Sequence, residues 1–404
     1  MVKRERYMSR IRPFINGDLV KVLTGMRRSG KSVMLQLIQQ EILQTGAGSN
    51  QILTYNFEKM DYASLRTAEA LHQAVLSASE GISGKIYLFF DEIQEVDGWE
   101  KAVNSFRVSL DCDIYITGSN ANLLSGELAT YLAGRYVEFI VYPFSLQEFM
   151  DLYQTIIPKS TQREMFNQYI ASGGMPYLSN LRYEQESSRQ YLLDIFNSVI
   201  LKDVVKRNNI RDVDLLERII SYVISNIGTT FSATSISKYF KSEKRNVAPE
   251  TILNYLKACE EAFLFYRAKR QDLQGKQILS INEKYYMADH GIRQALMGTN
   301  ARDIGLILEN MVYLEFLRRG FQVTVGRVGE REIDFVCEKA GRVLYFQVCY
   351  LLATEETIDR EFGVFTFIKD NHPKYVLSLD DFDMSREGIK HMNIQDFLLS
   401  DEWS

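Results

Sequence analysis

The chain has 404 residues, 46% apolar and 25% charged, with 52 Asp plus Glu against 47 Lys plus Arg for a net charge of −5. That composition excludes a disordered or fibrous chain, and the length exceeds what one core usually supports, so two or three globular domains are expected. No window approaches roughly 18 uninterrupted apolar residues, and no signal-type apolar run follows the basic N-terminus, so a cytoplasmic protein without membrane partners is expected. The cysteines at 112, 259, 337 and 349 have no C-x-x-C spacing and histidines number only 4. Reduced thiols are expected and a zinc site is not.

In chain order the first feature is basic: Lys3, Arg4, Arg6, Arg10 and Arg12 stand close together. They suit nucleotide phosphates, nucleic acid or a neighbouring subunit, or else a solvated helix. A strand-like run at 19 to 24 then leads into Gly25-Met26-Arg27-Arg28-Ser29-Gly30-Lys31-Ser32, followed by helical apolar spacing from 33 to 43. This is the full G-x-x-x-x-G-K-S phosphate loop in its strand–loop–helix context. Its glycines let successive N–H groups of Arg28, Ser29 and their neighbours face an anion. Lys31 is expected to reach the β- and γ-phosphates of ATP, and Ser32 to hold Mg²⁺.

Residues 85 to 92 supply the second half of such a site, an apolar run ending in Asp91-Glu92. Asp91 is expected to orient Mg²⁺ and Glu92 to polarise the attacking water. A third strand, 112 to 117, runs into Gly118-Ser119-Asn120, where Ser119 and Asn120 are candidates to sense the γ-phosphate, or an Asn turn that caps the next helix. Arg135, in Gly134-Arg135-Tyr136 before a strand at 139 to 142, is a candidate arginine finger. An ion pair with Glu138 or Glu127 is the alternative.

These motifs in this order, with Phe89-Phe90-Asp91-Glu92-Ile93-Gln94 and Tyr142-Pro143-Phe144-Ser145, resemble the prokaryotic AAA-type ATPases that carry a C-terminal region with a nuclease-like fold. The resemblance implies ATP binding, ATP hydrolysis and an arginine at the position of Arg135. It runs over nearly the whole chain, and the expected class is α/β: a P-loop parallel-sheet domain over 1 to 157, a helical lid and linker over 158 to 211, a winged-helix-like domain over 212 to 299 and a degenerate restriction-endonuclease-like α/β domain over 300 to 404.

The lid is marked by Gly173-Gly174-Met175-Pro176, a turn that Gly and Pro both enforce. Beyond it, helical periodicity at 215 to 227, 232 to 240 and 249 to 262, then strands at 263 to 268 and 285 to 287, follow the winged-helix order. Residues 199 to 276 carry 14 Lys plus Arg against 9 Asp plus Glu, which suits a phosphate-facing surface, although Glu250, Glu260 and Glu261 on the third helix do not. In the last region a helix containing Glu309 precedes strands at 322 to 325, 332 to 337 and 343 to 349. The nuclease-like resemblance implies a divalent metal at Glu309, Asp334 and a Glu-x-Lys pair. Gln347-Val348-Cys349 stands at that pair, so Mg²⁺ binding should be poor and cleavage of nucleic acid is not expected.

The expected protein is an ATP- and Mg²⁺-dependent AAA-type hydrolase whose nucleotide state rearranges its winged-helix and nuclease-like parts, with nucleic acid and a second copy of itself as candidate partners. A slow ATP-switched binding module and an ATP-regulated nuclease are the alternatives.

Overall fold

The computed structural model describes residues 2–124, 132–275, 277–298, 300–400 and 402. Its chain divides into two compact units, Met1–Pro143 with Glu261–Phe263, and Phe144–Glu260 with Leu264–Ser404. Among the described residues no helix is long and apolar enough to cross a membrane.

The first unit contains α1 (Glu5–Ile11), β1 (Val20–Thr24), α2 (Lys31–Gln44), β2 (Ile52–Asn56), α3 (Ala68–Ser79), β3 (Ile86–Asp91), α4 (Trp99–Ser109), β4 (Cys112–Gly118) and β5 (Tyr136–Ile140). All five strands are parallel, in the order β2-β3-β4-β1-β5. Every position of β1 and β3 is buried, as apolar runs without alternation require when both sheet faces are covered. On α4 the spacing of Trp99, Ala102, Val103 and Phe106 places one stripe against the sheet, where Phe106 stacks on Phe90 with ring centres 6.0 Å apart. Burying Val103 or Phe106 contributes about 1.5–3 kcal/mol each. The first strand is inserted out of sequence order: β1 lies between β4 and β5, and β3 beside β4. The carboxyl ends of β1, β3 and β4 therefore come side by side, where an open α/β sheet binds its ligand.

The second unit begins with α5 (Leu146–Ile156), started by a box in which Ser145 Oγ accepts the Glu148 N–H and the Glu148 carboxylate accepts the Ser145 N–H. There follow α6 (Gln162–Ser172), α7 (Gln185–Ser198), a π-helical continuation Val199–Lys206, α8 (Val213–Ser225), α9 (Ala233–Ser242) and α10 (Pro249–Glu261). Next come the strands β6 (Phe265–Asp272) and β7 (Gln277–Met287), then α11 (His290–Met297), α12 (Ile304–Arg318), β8 (Gln322–Val328), β9 (Arg331–Lys339), β10 (Arg342–Val348), α13 (Glu355–Gly363), β11 (Lys374–Ser378), β12 (Lys390–Asn393) and α14 (Ile394–Leu399).

Three helices and a hairpin do follow one another from α8 to β7, but the hairpin is not a free wing. Strand β6 pairs antiparallel with β7 on one side and parallel with β8 on the other, Lys269 opposite Thr324. The hairpin is thus the end of a seven-stranded sheet, β12-β11-β10-β9-β8-β6-β7, with β7 at the edge, that runs on through the C-terminal region. Helix α12 is buried almost all round, so it reads as a uniformly apolar segment with few charges. One of those charges, Glu315, is enclosed and accepts from Arg319 at 2.7 Å.

Candidate functional site

The loop between β1 and α2 is shaped by three residues with positive φ: Gly25 at 136°, Arg28 at 67° and Gly30 at 102°. A Cβ on Gly25 would stand 2.3 Å from the Val141 carbonyl oxygen, so only glycine fits. Gly30 caps α2, whose first N–H groups point back into the loop. Ser29 Oγ is buried and has no hydrogen-bond partner among the described residues. An anion seated in the loop would give it one.

Lys31 is 4% exposed, and its Nζ donates to the carbonyls of Gly25 and Met26 at 3.0 and 3.1 Å, with Glu92 Oε1 at 3.7 Å. The ammonium thus lies between the loop and the end of β3. Asp91 is enclosed there. Its Oδ1 accepts from Thr117 Oγ1 at 2.6 Å, its Oδ2 from Asn56 Nδ2 at 2.9 Å, and the Ser32 hydroxyl also bonds to it. Burial pushes the Asp91 carboxyl above its ordinary range, against the hydrogen bonds from Thr117 and Ser32. The hydroxyl of Ser32 and the carboxylate of Asp91 together form the hard-oxygen donor pair that Mg²⁺ takes, and so fit that ion.

Glu92 has a left-handed backbone, φ 54° and ψ 52°, and gives its N–H to Thr117 Oγ1 at 2.9 Å. This turn sends consecutive carboxylates in different directions, Asp91 toward Ser32 and Glu92 toward Lys31. The Glu92 carboxylate also accepts from the amide of Gln94. Ser119 and Asn120, both buried, lie directly past the end of β4. Gly25, Arg28, Ser29, Gly30, Lys31, Ser32, Asp91, Glu92, Ser119 and Asn120 thus sit on the carboxyl ends of three adjoining strands.

Arg135 does not join them. It is exposed just before β5, its carbonyl accepting the N–H of Val20 at 2.9 Å, so it lies at the start of β1 whereas the phosphate loop lies at the end. The two are separated by the length of β1, about 13 Å for a five-residue strand. Glu138 is not its partner in an ion pair of the expected kind, since its carboxylate accepts from Thr24 Oγ1 at 2.5 Å. Glu127 lies outside the described residues.

Four participants were not legible in the sequence. Thr117 and Asn56 hold Asp91, and Gln94 holds Glu92. Arg4, one of the basic N-terminal residues, is 2% exposed; its guanidinium donates to the carbonyls of Ser29 at 3.1 Å and Tyr142 at 2.8 Å and lies over the Tyr7 ring. It braces the loop from behind. Polar residues at strand ends were the available signal for Asn56 and Thr117, and the basic N-terminal cluster had pointed Arg4 toward phosphates without marking it as a brace on the loop.

In the basic stretch of the second unit much of the charge is already paired. Arg245 reaches Asp212 and Asp214, Arg218 reaches Asp214, and Arg267 reaches Glu260. Lys238, Lys241 and Lys244 are exposed on and just past α9. Farther on, Glu309 and Asp334 are brought together, but Gln347 is not aimed at a shared ligand. Its Oε1 accepts the Asp334 N–H at 2.7 Å and its Nε2 donates to Glu361 at 3.1 Å. Burial pushes the Cys349 thiol far above its ordinary range, which leaves it inert as a base.

A sequence family described as an AAA domain matches residues 18–150, and one described as a domain of unknown function matches residues 163–303. An uncharacterised protein of Haemophilus influenzae is 38% identical over 402 residues, covering 99% of this chain and 99% of its own length. An uncharacterised protein of Methanocaldococcus jannaschii is 28% identical over 396 residues, covering 93% and 85%. Among solved structures, the Aeropyrum pernix ORC1 protein in complex with DNA is 11% identical with a TM-score of 0.32, over 73% of this chain and 91% of that one. AMPPCP-bound DnaA of Aquifex aeolicus is 13% identical with a TM-score of 0.34, over 64% and 88%. Likenesses this distant carry no weight in assigning the site.

Proposed function

Since the chain belongs to one family with the Haemophilus influenzae protein and its residues 18–150 form an AAA domain, we propose that it binds ATP with Mg²⁺ and hydrolyses it, using the cycle to act on its second unit. The observation that carries the reading is the continuous set of contacts Lys31–Glu92, Glu92–Thr117, Thr117–Asp91 and Asp91–Ser32 across the ends of β1, β3 and β4.

The roles follow from the chemistry. Backbone N–H groups from Arg28 to Ser32 cradle the β-phosphate, and the Lys31 ammonium turns from its carbonyl partners to the β- and γ-oxygens. Ser32 and Asp91 would hold Mg²⁺, which supplies charge neutralisation on the phosphates. Glu92, steered by Gln94, orients the attacking water and accepts its proton. Ser119 and Asn120 read the γ-phosphate from the tip of β4, and Arg135 serves the site of another copy. Lys238, Lys241 and Lys244 offer phosphate contacts, so nucleic acid is the candidate effector.

Steady-state hydrolysis of ATP, with and without DNA or RNA, tests the proposal. Lys31→Ala should abolish turnover and weaken nucleotide binding while the far-ultraviolet circular dichroism stays that of the wild type. Undiminished turnover in the folded variant would defeat the reading.

A further inference from the structure

The nuclease-like resemblance implies a divalent cation between Glu309 and Asp334, and the residues around them do not fit one. Lys284, on β7, is 2% exposed, and its Nζ lies 2.9 Å from Glu309 Oε1, 2.9 Å from Glu332 Oε1 and 3.2 Å from Asp334 Oδ1. An ammonium has three N–H donors, and here each has a carboxylate oxygen from α12 or β9. Two residues along the same strand, and so on the same face, the Tyr286 hydroxyl donates to Glu309 Oε1 at 2.7 Å. The other oxygen of Asp334 takes the Val348 N–H at 2.9 Å.

We infer that the ammonium of Lys284 takes the place of the metal in this carboxylate centre, making it a metal-independent lock that fastens β7 to α12 and β9. The reason is competition for the same oxygens. Mg²⁺ or Mn²⁺ bonds oxygen at about 2.0–2.2 Å, so a cation bonded to Glu309 Oε1 and Asp334 Oδ1 would take the oxygens that Nζ holds, and the buried ammonium would be left without its partners. Three carboxylate oxygens within 3.2 Å, on α12 and β9, hold the buried ammonium in place. The cation is therefore a fixed part of the fold. Beside it, a cavity of about 390 Å³ is lined by Glu309, Glu332 and Asp334 together with Arg331, Arg360 and Glu361, and Arg360 pairs with Glu361 at 2.7 Å. Among the described residues no group of three or more His, Cys, Asp and Glu has the arrangement of a metal site.

The lock also accounts for the hairpin. A wing that reads nucleic acid must project from its helices, whereas β7 is tied by Lys284 and Tyr286 to the buried face of α12.

Mn²⁺ binding to the full chain, measured by electron paramagnetic resonance without nucleotide, tests the inference. Wild type should show no Mn²⁺ site that Asp334→Asn removes. Folded Lys284→Ala should gain one Mn²⁺ equivalent and a Mn²⁺-dependent rise in Tm, both lost again in Lys284→Ala with Asp334→Asn. Should Lys284→Ala not fold, the wild type still decides: acetylation followed by mass spectrometry should leave Lys284 unmodified with or without Mn²⁺. A wild-type Mn²⁺ site that depends on Asp334, a folded Lys284→Ala that gains none, or Lys284 acetylation that rises with Mn²⁺ would each overturn it. So would metal-dependent cleavage of DNA or RNA that survives Lys31→Ala and disappears in Asp334→Ala.

Discussion

Asp91 and Glu92 are adjacent in sequence and both end one strand, yet their surroundings assign them different work. Asp91 accepts from Thr117, Asn56 and Ser32, so it is held in one orientation at the place a metal would occupy. Glu92, turned by its left-handed backbone, meets the Lys31 ammonium and the Gln94 amide instead. Glu92→Gln should therefore keep ATP bound and slow hydrolysis by about 10²–10⁴-fold, the usual worth of a positioned base. Asp91→Asn should slow it as well and, unlike Glu92→Gln, weaken affinity only when Mg²⁺ is present. Fluorescent-nucleotide titrations with and without Mg²⁺ separate the two, and equal effects on affinity would refute the division.

At the scale of elements, the Gly173-Gly174-Met175-Pro176 turn acts as a clasp between α6 and α11. Gly174 N–H donates to Asp289 Oδ2 at 2.7 Å, and Gly291 N–H to Asp289 Oδ1 at 2.9 Å. A Cβ on Gly173, where φ is 76°, would meet Asp289 Oδ1 at 2.1 Å, which is why glycine stands there. His290 Nε2 carries the proton, since its partner at 2.7 Å is the Tyr169 carbonyl, and the ring is neutral: burial lowers it to about 4. Burial raises Asp289 to about 6.

The two titrations oppose each other. Folded Asp289 holds its proton to a higher pH than unfolded Asp, so its contribution is complete below about pH 4 and is lost as pH rises through 6. Folded His290 refuses a proton that unfolded His takes, so its contribution is complete above about pH 6.5 and is lost as pH falls through 4. Each shift corresponds to roughly 3 kcal/mol. His290→Gln should therefore lose stability relative to wild type as pH rises from 4 to 6.5, and Asp289→Asn should gain it over 4 to 6. Urea unfolding across that range checks both slopes, and parallel curves for all three proteins would remove the clasp as a titrating unit.

Across the whole molecule, the distance between the two ends of β1 decides how Arg135 can act. The phosphate loop is at one end and Arg135 at the other, so a finger there reaches a nucleotide only in another copy. Arg135→Ala should abolish turnover while sparing ATP affinity, and wild-type turnover per subunit should rise with concentration. Mixing Arg135→Ala with Lys31→Ala should restore activity, because each supplies what the other lacks. Flat turnover, a silent mixture and only monomers in light scattering would leave Arg135 without a role in hydrolysis.

The phosphate loop, the Asp91-Glu92 pair and the strand tip at Ser119 were legible in the sequence because each is a local pattern: a fixed glycine spacing, a buried parallel strand ending in acid, a polar turn after an apolar run. The helices from α8 to α10 and the strands after them were legible for the same reason, as periodicity within about a dozen residues. What pairs with those elements is set by residues far away in the chain, and this the sequence did not disclose. Arg4 reaches Ser29 and Tyr142, Thr117 reaches Asp91, and β6 pairs with β8 rather than standing out as a wing. Lys284 marks the limit most clearly. Without Glu or Lys at positions 347 and 349, the sequence indicated a carboxylate centre lacking a cation, while the fold carries one in from a strand 25 residues before Glu309 and 50 before Asp334. Propensity and spacing act along the chain, whereas the partner of a buried charge is chosen by the desolvation it must escape, and only the tertiary structure brings that partner near.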